Sequence, residues 1–154
     1  MTPTERLNEA CALLTMWITE ENAPEPERLD VWLAATNLPH AVRALHDAGW
    51  GYLSALTGLD HGPEEGRMEV LYHFCNGPAV LTLRVWLGRE APTIPSVCGI
   101  IPSASFFERE LMEMFGITVE GTPNTDHLFL PDGWPEGVYP LRKDFEPDQL
   151  HNVG

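Results

Sequence analysis

Four charged residues lie close enough in one stretch to act together: Glu108, Arg109, Glu110 and Glu113, within FFERELMEMFGI (106–117). Paired carboxylates can serve as general acid and base, or as ligands for a divalent cation. Their spacing weighs against both roles. On a helix Glu110 and Glu113 share a face, while Glu108 and Glu110, two apart, diverge. A di-metal bundle needs Glu-x-x-His on paired helices, and that motif is absent from the chain. Arg109 and Glu113, four apart, can pair on an exposed helix face for about 0.2–0.5 kcal/mol. The expectation is therefore a helix with Phe107, Leu111 and Met114 inward and Glu110 and Glu113 toward solvent or a partner.

Other reactive side chains are dispersed. His40, His46, His61, His73, His127 and His151 form no H-x-x-x-H and flank no cysteine. Cys11, Cys75 and Cys98 are odd in number and far apart, with no CxxC, which fits neither a disulfide framework nor a zinc or iron–sulfur site. That usage suits a reducing compartment, with Cys75 and Cys98 as small core hydrophobes. The chain has no G-x-S-x-G, no Walker-type glycine loop and no G-x-G-x-x-G.

PLRKDF (140–145) differs in kind. Arg142 and Lys143 form the only adjacent basic pair, and Lys143 is the only lysine. They sit where 11 acids oppose three bases from Glu90 onward. A solvated turn anchored by Leu141 and Phe145 is one reading. The other is a docking segment, with Arg142 as a forked donor to a carboxylate and the apolar neighbours filling pockets.

Several elements must position these groups. TPTE reads as a capping box with Pro3 at the first helical position, and Leu7, Ala10, Cys11, Leu14, Trp17 and Ile18 then recur at helical spacing. ENAPEPE, with two prolines and three acids, reads as a loop. RLDVWL alternates like a strand, 38–48 is helical with Gly49 as a C-cap, and Tyr52–Leu59 is a short strand. MEVLYHFC and AVLTLRVWL alternate around Asn76-Gly77-Pro78 and form a hairpin, with Pro78 suggesting a turn looser than two residues. Ser105 with Glu108 resembles a second capping box, and Gly116 sits at a C-cap position. Together these predict an α+β fold: a largely antiparallel sheet with helices on one face, over residues 1–120.

Residues 121–154 contain five prolines and four glycines, yet also Leu128, Phe129, Leu130, Trp134, Tyr139, Leu141 and Phe145. That is too apolar for simple disorder. An extended irregular C-terminal docking arm is expected, ordered by a partner's surface.

Charge narrows the partners. Nine Lys and Arg stand against 23 Asp and Glu, a formal net charge of −14. Nucleic acid and anionic lipid are poor partners for such a chain, whereas a basic protein surface is a good one. No apolar run reaches the roughly 18 residues of a membrane span, and no N-terminal basic-then-apolar signal is present.

SASFFERELMEMFGITVEG followed by LPDGWPEGVYPLRKDF resembles the paired signature of the 30 kDa subunit family of NADH-quinone oxidoreductase, the respiratory complex I. The same module recurs in energy-converting membrane-bound hydrogenases and in archaeal relatives of complex I. Glu108, Arg109, Glu110, Met114, Phe115 and Gly116 match the helix signature. Trp134 lies in the second segment, and Pro140, Leu141, Arg142, Lys143, Asp144 and Phe145 match its end. The resemblance implies a structural subunit on the cytoplasmic side of a membrane-bound redox pump, in its peripheral arm. It also implies no catalytic residue, metal or cofactor in this chain. The quinone-site large subunit and iron–sulfur subunits would be its partners. The family's usual Gly-His-Pro with a basic pair is GTPNTDH here, and its usual Gly-His before PLRKDF is Gly137-Val138-Tyr139. Those departures leave the electron donor and a hydrogenase assembly open. The reading from another class is a free-standing acidic enzyme holding a divalent metal with Glu110, Glu113 and a distant histidine.

Overall fold

The computed structural model describes residues 1–150; the last four positions of the expected arm, His151 among them, lie outside that range. Helix α1 (Pro3–Leu14) starts as its sequence dictates. Thr2 Oγ1 accepts from Glu5 N at 3.1 Å and Glu5 Oε2 accepts from Thr2 N at 2.8 Å, which satisfies two orphan donors reciprocally. Leu7, Ala10 and Leu14 face the core, and the helix ends there, short of the expected Trp17 and Ile18.

ENAPEPE is not a loop. Its first five residues form most of strand β1 (Glu20–Glu25), antiparallel to β2 (Arg28–Trp32). Pro24 is tolerated because β1 is an edge strand, where a missing N–H costs no ladder bond. Helix α2 (Leu38–Asp47) buries Leu38, Ala41, Val42 and Leu45 completely, worth roughly 1.5–3 kcal/mol for each of the larger side chains.

Strands β3 (Tyr52–Asp60), β4 (Arg67–Asn76) and β5 (Ala79–Gly88) complete a five-stranded sheet of order β1-β2-β5-β4-β3. The sheet is mostly antiparallel, with one parallel pairing between β2 and β5. Asn76 pairs with Ala79, so the β4–β5 turn has two residues rather than the looser loop expected. Pro78 lies inside that turn and is asked for no ladder bond. The core-facing residues Leu81, Leu83, Val85 and Leu87 alternate as the sequence indicates, and with Met68, Val70, Tyr72 and Phe74 they pack into one core with the helices.

The opposite face of the sheet is polar but organised. Arg84 holds buried Glu69 in a bidentate pair at 2.7 and 2.8 Å and also reaches Asp30 at 3.1 Å. Trp32 and His61 add hydrogen bonds to the same glutamate.

Strand β6 (Thr93–Pro95), helix α3 (Ala104–Phe115) and strand β7 (Thr118–Glu120) follow. β6 and β7 pair in parallel as a second, two-stranded sheet, with buried Ile94 beside buried Val119. α3 lies against β3 so closely that a Cβ on Gly58 would sit 2.8 Å from the Phe115 ring. From Gly121 to Glu146 the chain runs through turns and bends, then closes in a short 3-10 turn at Pro147–Leu150.

Candidate functional site

The two signature segments meet. α3 and the arm form one joint, built by the side chains of Arg109, Glu113 and Arg142 and, through Arg89, Asp144.

Glu108 is fully buried. Its carboxylate accepts from Ser96 Oγ at 2.7 Å, Val97 N at 2.8 Å and Cys98 Sγ at 3.0 Å. It therefore pins the β6–α3 connection rather than capping its own helix. The expected Ser105–Glu108 capping box is absent: α3 begins after Ser103, with no side-chain cap. Burial first, and then the neighbouring Glu108, push the Cys98 thiol up, away from the reactive thiolate.

Glu113, expected toward solvent or a partner, is instead buried within the chain. Its two oxygens accept from Leu128 N, Phe129 N and Leu130 N at 2.9, 2.8 and 3.2 Å. Burial alone would raise this carboxyl, but the three N–H groups outweigh it and hold the pKa below its ordinary value. Arg109 does not pair with Glu113. Its guanidinium donates to the carbonyls of Asp126 and His127 at 3.0 and 2.9 Å. The i, i+4 pair loses to a geometry in which each side chain satisfies main-chain groups of the arm.

The PLRKDF segment is seated by a clamp that sequence reading did not find. Asp60, at the end of β3, is 3% exposed. It accepts from Arg89 Nε at 2.9 Å and a second guanidinium nitrogen at 3.1 Å, from Gly62 N at 2.9 Å, and from Lys143 N at 2.9 Å. Arg89 also reaches Asp144 at 2.6 Å. Burial works to raise the Asp60 carboxyl, yet Arg89 and the two N–H groups bring it down to about 2. Only the Asp60-to-Gly62 turn is local; the other partners lie 29 and 83 residues away.

Leu141 N donates to Met114 O at 3.0 Å, and Arg142 Nε to Phe115 O at 2.7 Å, with the Arg142 guanidinium over the Tyr139 ring. Arg142 thus covers the carbonyl end of α3, the placement a helix dipole favours for a cation. Gly116, at φ +71, closes the helix in the left-handed region, and a Cβ there would stand 2.4 Å from the Tyr139 ring. Trp134 donates from Nε1 to Val138 O at 2.7 Å and stacks on Phe145. Phe115 is buried, whereas Met114 is half-buried and Pro140 and Phe145 likewise. The arm is therefore held by its own domain, contrary to the expectation that a partner orders it.

Two features face outward. Phe106, Phe129 and Leu141 are exposed, with the first two in edge-to-face contact at 5.7 Å. A cavity of about 400 Å³ opens between α3 and the arm, walled by Arg109, Met112, Glu113, Trp134 and Tyr139 among others. The metal reading finds little geometry: among the described residues no group of three His, Cys, Asp or Glu side chains is placed to hold a metal ion. His127 Nδ1 stands 3.9 Å from a Glu113 oxygen already taken by main-chain donors.

The family model for the respiratory-chain NADH dehydrogenase 30 kDa subunit matches residues 31–150, which span both signature segments. The chain belongs to that family. The resemblance read from the helix and PLRKDF segments is borne out, as is the α+β class. The C-type subunit of NADH-quinone oxidoreductase from Chloroherpeton thalassium is 35% identical over 129 residues, covering 82% of this chain and 51% of that one. Formate hydrogenlyase subunit 5 of Escherichia coli is 36% identical over 121 residues, covering 77% of this chain and 21% of that one. The chain thus spans about half and about a fifth of the lengths of these two relatives. A solved trypsin-resistant fragment of Nqo5 superposes with a TM-score of 0.62 at 28% identity, over 80% of this chain and 99% of that fragment. Among the described residues no helix is long and apolar enough to cross a membrane.

Proposed function

We propose that this 30 kDa-family chain is a non-catalytic structural subunit in the peripheral arm of a complex I-like NADH:quinone oxidoreductase. It docks against the large quinone-site subunit, next to iron–sulfur subunits, on the cytoplasmic side of the membrane. Catalysis belongs to the assembly; clusters and quinone are held by partner subunits, and this chain binds no cofactor. The observation that carries the reading is the joint between α3 and the arm. Glu108, Glu113, Arg109 and Asp60 are all engaged in holding main chain, so these charged residues shape a surface instead of a reaction centre. That surface presents Phe106, Phe129 and Leu141, flanked by acids that complement a basic partner.

A second reading has its own support. The match to formate hydrogenlyase subunit 5 favours the equivalent subunit of an energy-converting membrane-bound hydrogenase. A mild-detergent pull-down from native membranes, with the chain as bait and mass spectrometry of the eluate, separates the readings. Quinone-site and iron–sulfur subunits are expected. Nickel-site hydrogenase subunits would select the second reading, and a chain recovered alone, with stoichiometric metal, would overturn both.

A further inference from the structure

The sheet has two edges, and they are built differently. β1 is guarded by Glu20, Glu21, Glu25 and Pro24, is exposed throughout, and breaks its ladder between Asn22 and Glu25. Charges, proline and irregular pairing are how proteins blunt an edge strand. β3, the other edge, has none of these over residues 55–60. Its register with β4 runs unbroken from Ala55↔His73 to Asp60↔Met68, and its only acid is turned into the Arg89 clamp. Among the described residues, no main-chain group of Tyr52–Asp60 makes a main-chain hydrogen bond outside the ladder. Leu59 is 40% exposed.

A groove of about 230 Å³ lies along this edge, lined by Leu56, Gly58, Glu110, Leu111, Phe115 and Leu141. Leu56, Leu111, Phe115 and Leu141 make the lining mostly apolar, with Thr57 and Glu110 as its polar members. Glu110 is half-buried there and makes no hydrogen bond or ion pair among the described residues. A bare edge supplies main-chain bonds, and a pocket beside it selects alternate side chains of an added strand.

We propose that the β3 edge receives an extended segment of a partner subunit as a sixth strand along residues 55–60. The segment places an apolar side chain in the groove and a Lys or Arg against Glu110. This rests on the subunit reading above and names the contact that reading lacks. A second copy of the chain is a poor occupant: both copies carry −14, and Tyr52–Asp60 contains no base to meet Glu110.

Hydrogen–deuterium exchange on the full chain, free and within the complex recovered from membranes, tests the contact. Outward amides within residues 55–59 should slow by at least about tenfold on assembly, while those of β1 stay unchanged. Leu59→Lys and Glu110→Arg should each cut partner recovery several-fold and leave the free chain's melting temperature in place. Recovery of partner subunits with β3 exchanging as fast as in the free chain would overturn the added strand and leave the subunit reading intact. Recovery of no partner removes both. Protection of β3 in concentrated free chain alone would assign the edge to self-association and overturn the proposed occupant.

Discussion

Asp60→Asn perturbs the clamp on the arm with almost no change in shape. The carboxylate accepts four hydrogen bonds, two of them from Arg89. An amide puts an NH₂ where one oxygen was, so either Arg89 Nε and Gly62 N or the second Arg89 nitrogen and Lys143 N face a donor. The drop of the carboxyl from 3.8 to about 2, at roughly 1.4 kcal/mol per unit, is about 2 kcal/mol from charge alone. Misdirected N–H groups at a buried site add about 1–3 kcal/mol. Asp144 still offsets part of the Arg89 charge, so about 3 kcal/mol is expected in all. For a chain of this size that is a loss of about 6–12 °C in melting temperature. Because the folded pKa is depressed, this stability is present above the unfolded value near 3.8 and is lost as pH falls toward about 2. Thermal melts from pH 5 to pH 2 should therefore converge for the wild type and Asp60→Asn. Exchange of the Lys143 amide should speed up in the variant. A melting temperature within about 2 °C of wild type at neutral pH, with the Lys143 amide unchanged, would refute the clamp.

Other perturbations read the same joint. Glu113→Gln leaves the N–H groups of residues 128–130 short of acceptors and should admit protease between α3 and the arm while the sheet stays folded, as limited proteolysis would show. Gly116→Ala forces a Cβ into the left-handed region and into Tyr139, for an expected loss of about 1–3 kcal/mol in urea unfolding. Arg142→Ala removes the donor to Phe115 O and should cost about 1–2 kcal/mol, with a larger fall in partner recovery than in stability. Met114→Ala, at a half-buried position, should cost less than the roughly 2–5 kcal/mol of a fully buried methionine, checked in the same unfolding series.

Local rules in the sequence determined the parts. The Thr2–Glu5 box, the alternation through β4 and β5, the apolar spacing of α2 and the glycine after α3 each depend on neighbours within four residues, and each appears where the sequence places it. The paired signature segments likewise carry the family. Tertiary structure decided what the charges do. Glu113 looks outward-facing and Glu108 looks like a cap of its own helix because helical spacing reports only which residues share a side, not what is packed against that side. The Glu108 oxygens are claimed by the Ser96 hydroxyl, the Val97 N–H and the Cys98 thiol, and those of Glu113 by main chain arriving from residues 128–130. Asp60 carries no local signal for its bonds to Arg89 and Lys143, since they form only when β3, the β5–β6 connection and the arm converge. β1 was hidden by Pro24 and its acids, the residues that make a safe edge. The bare edge of β3 became visible only once the strand order left it last in the sheet.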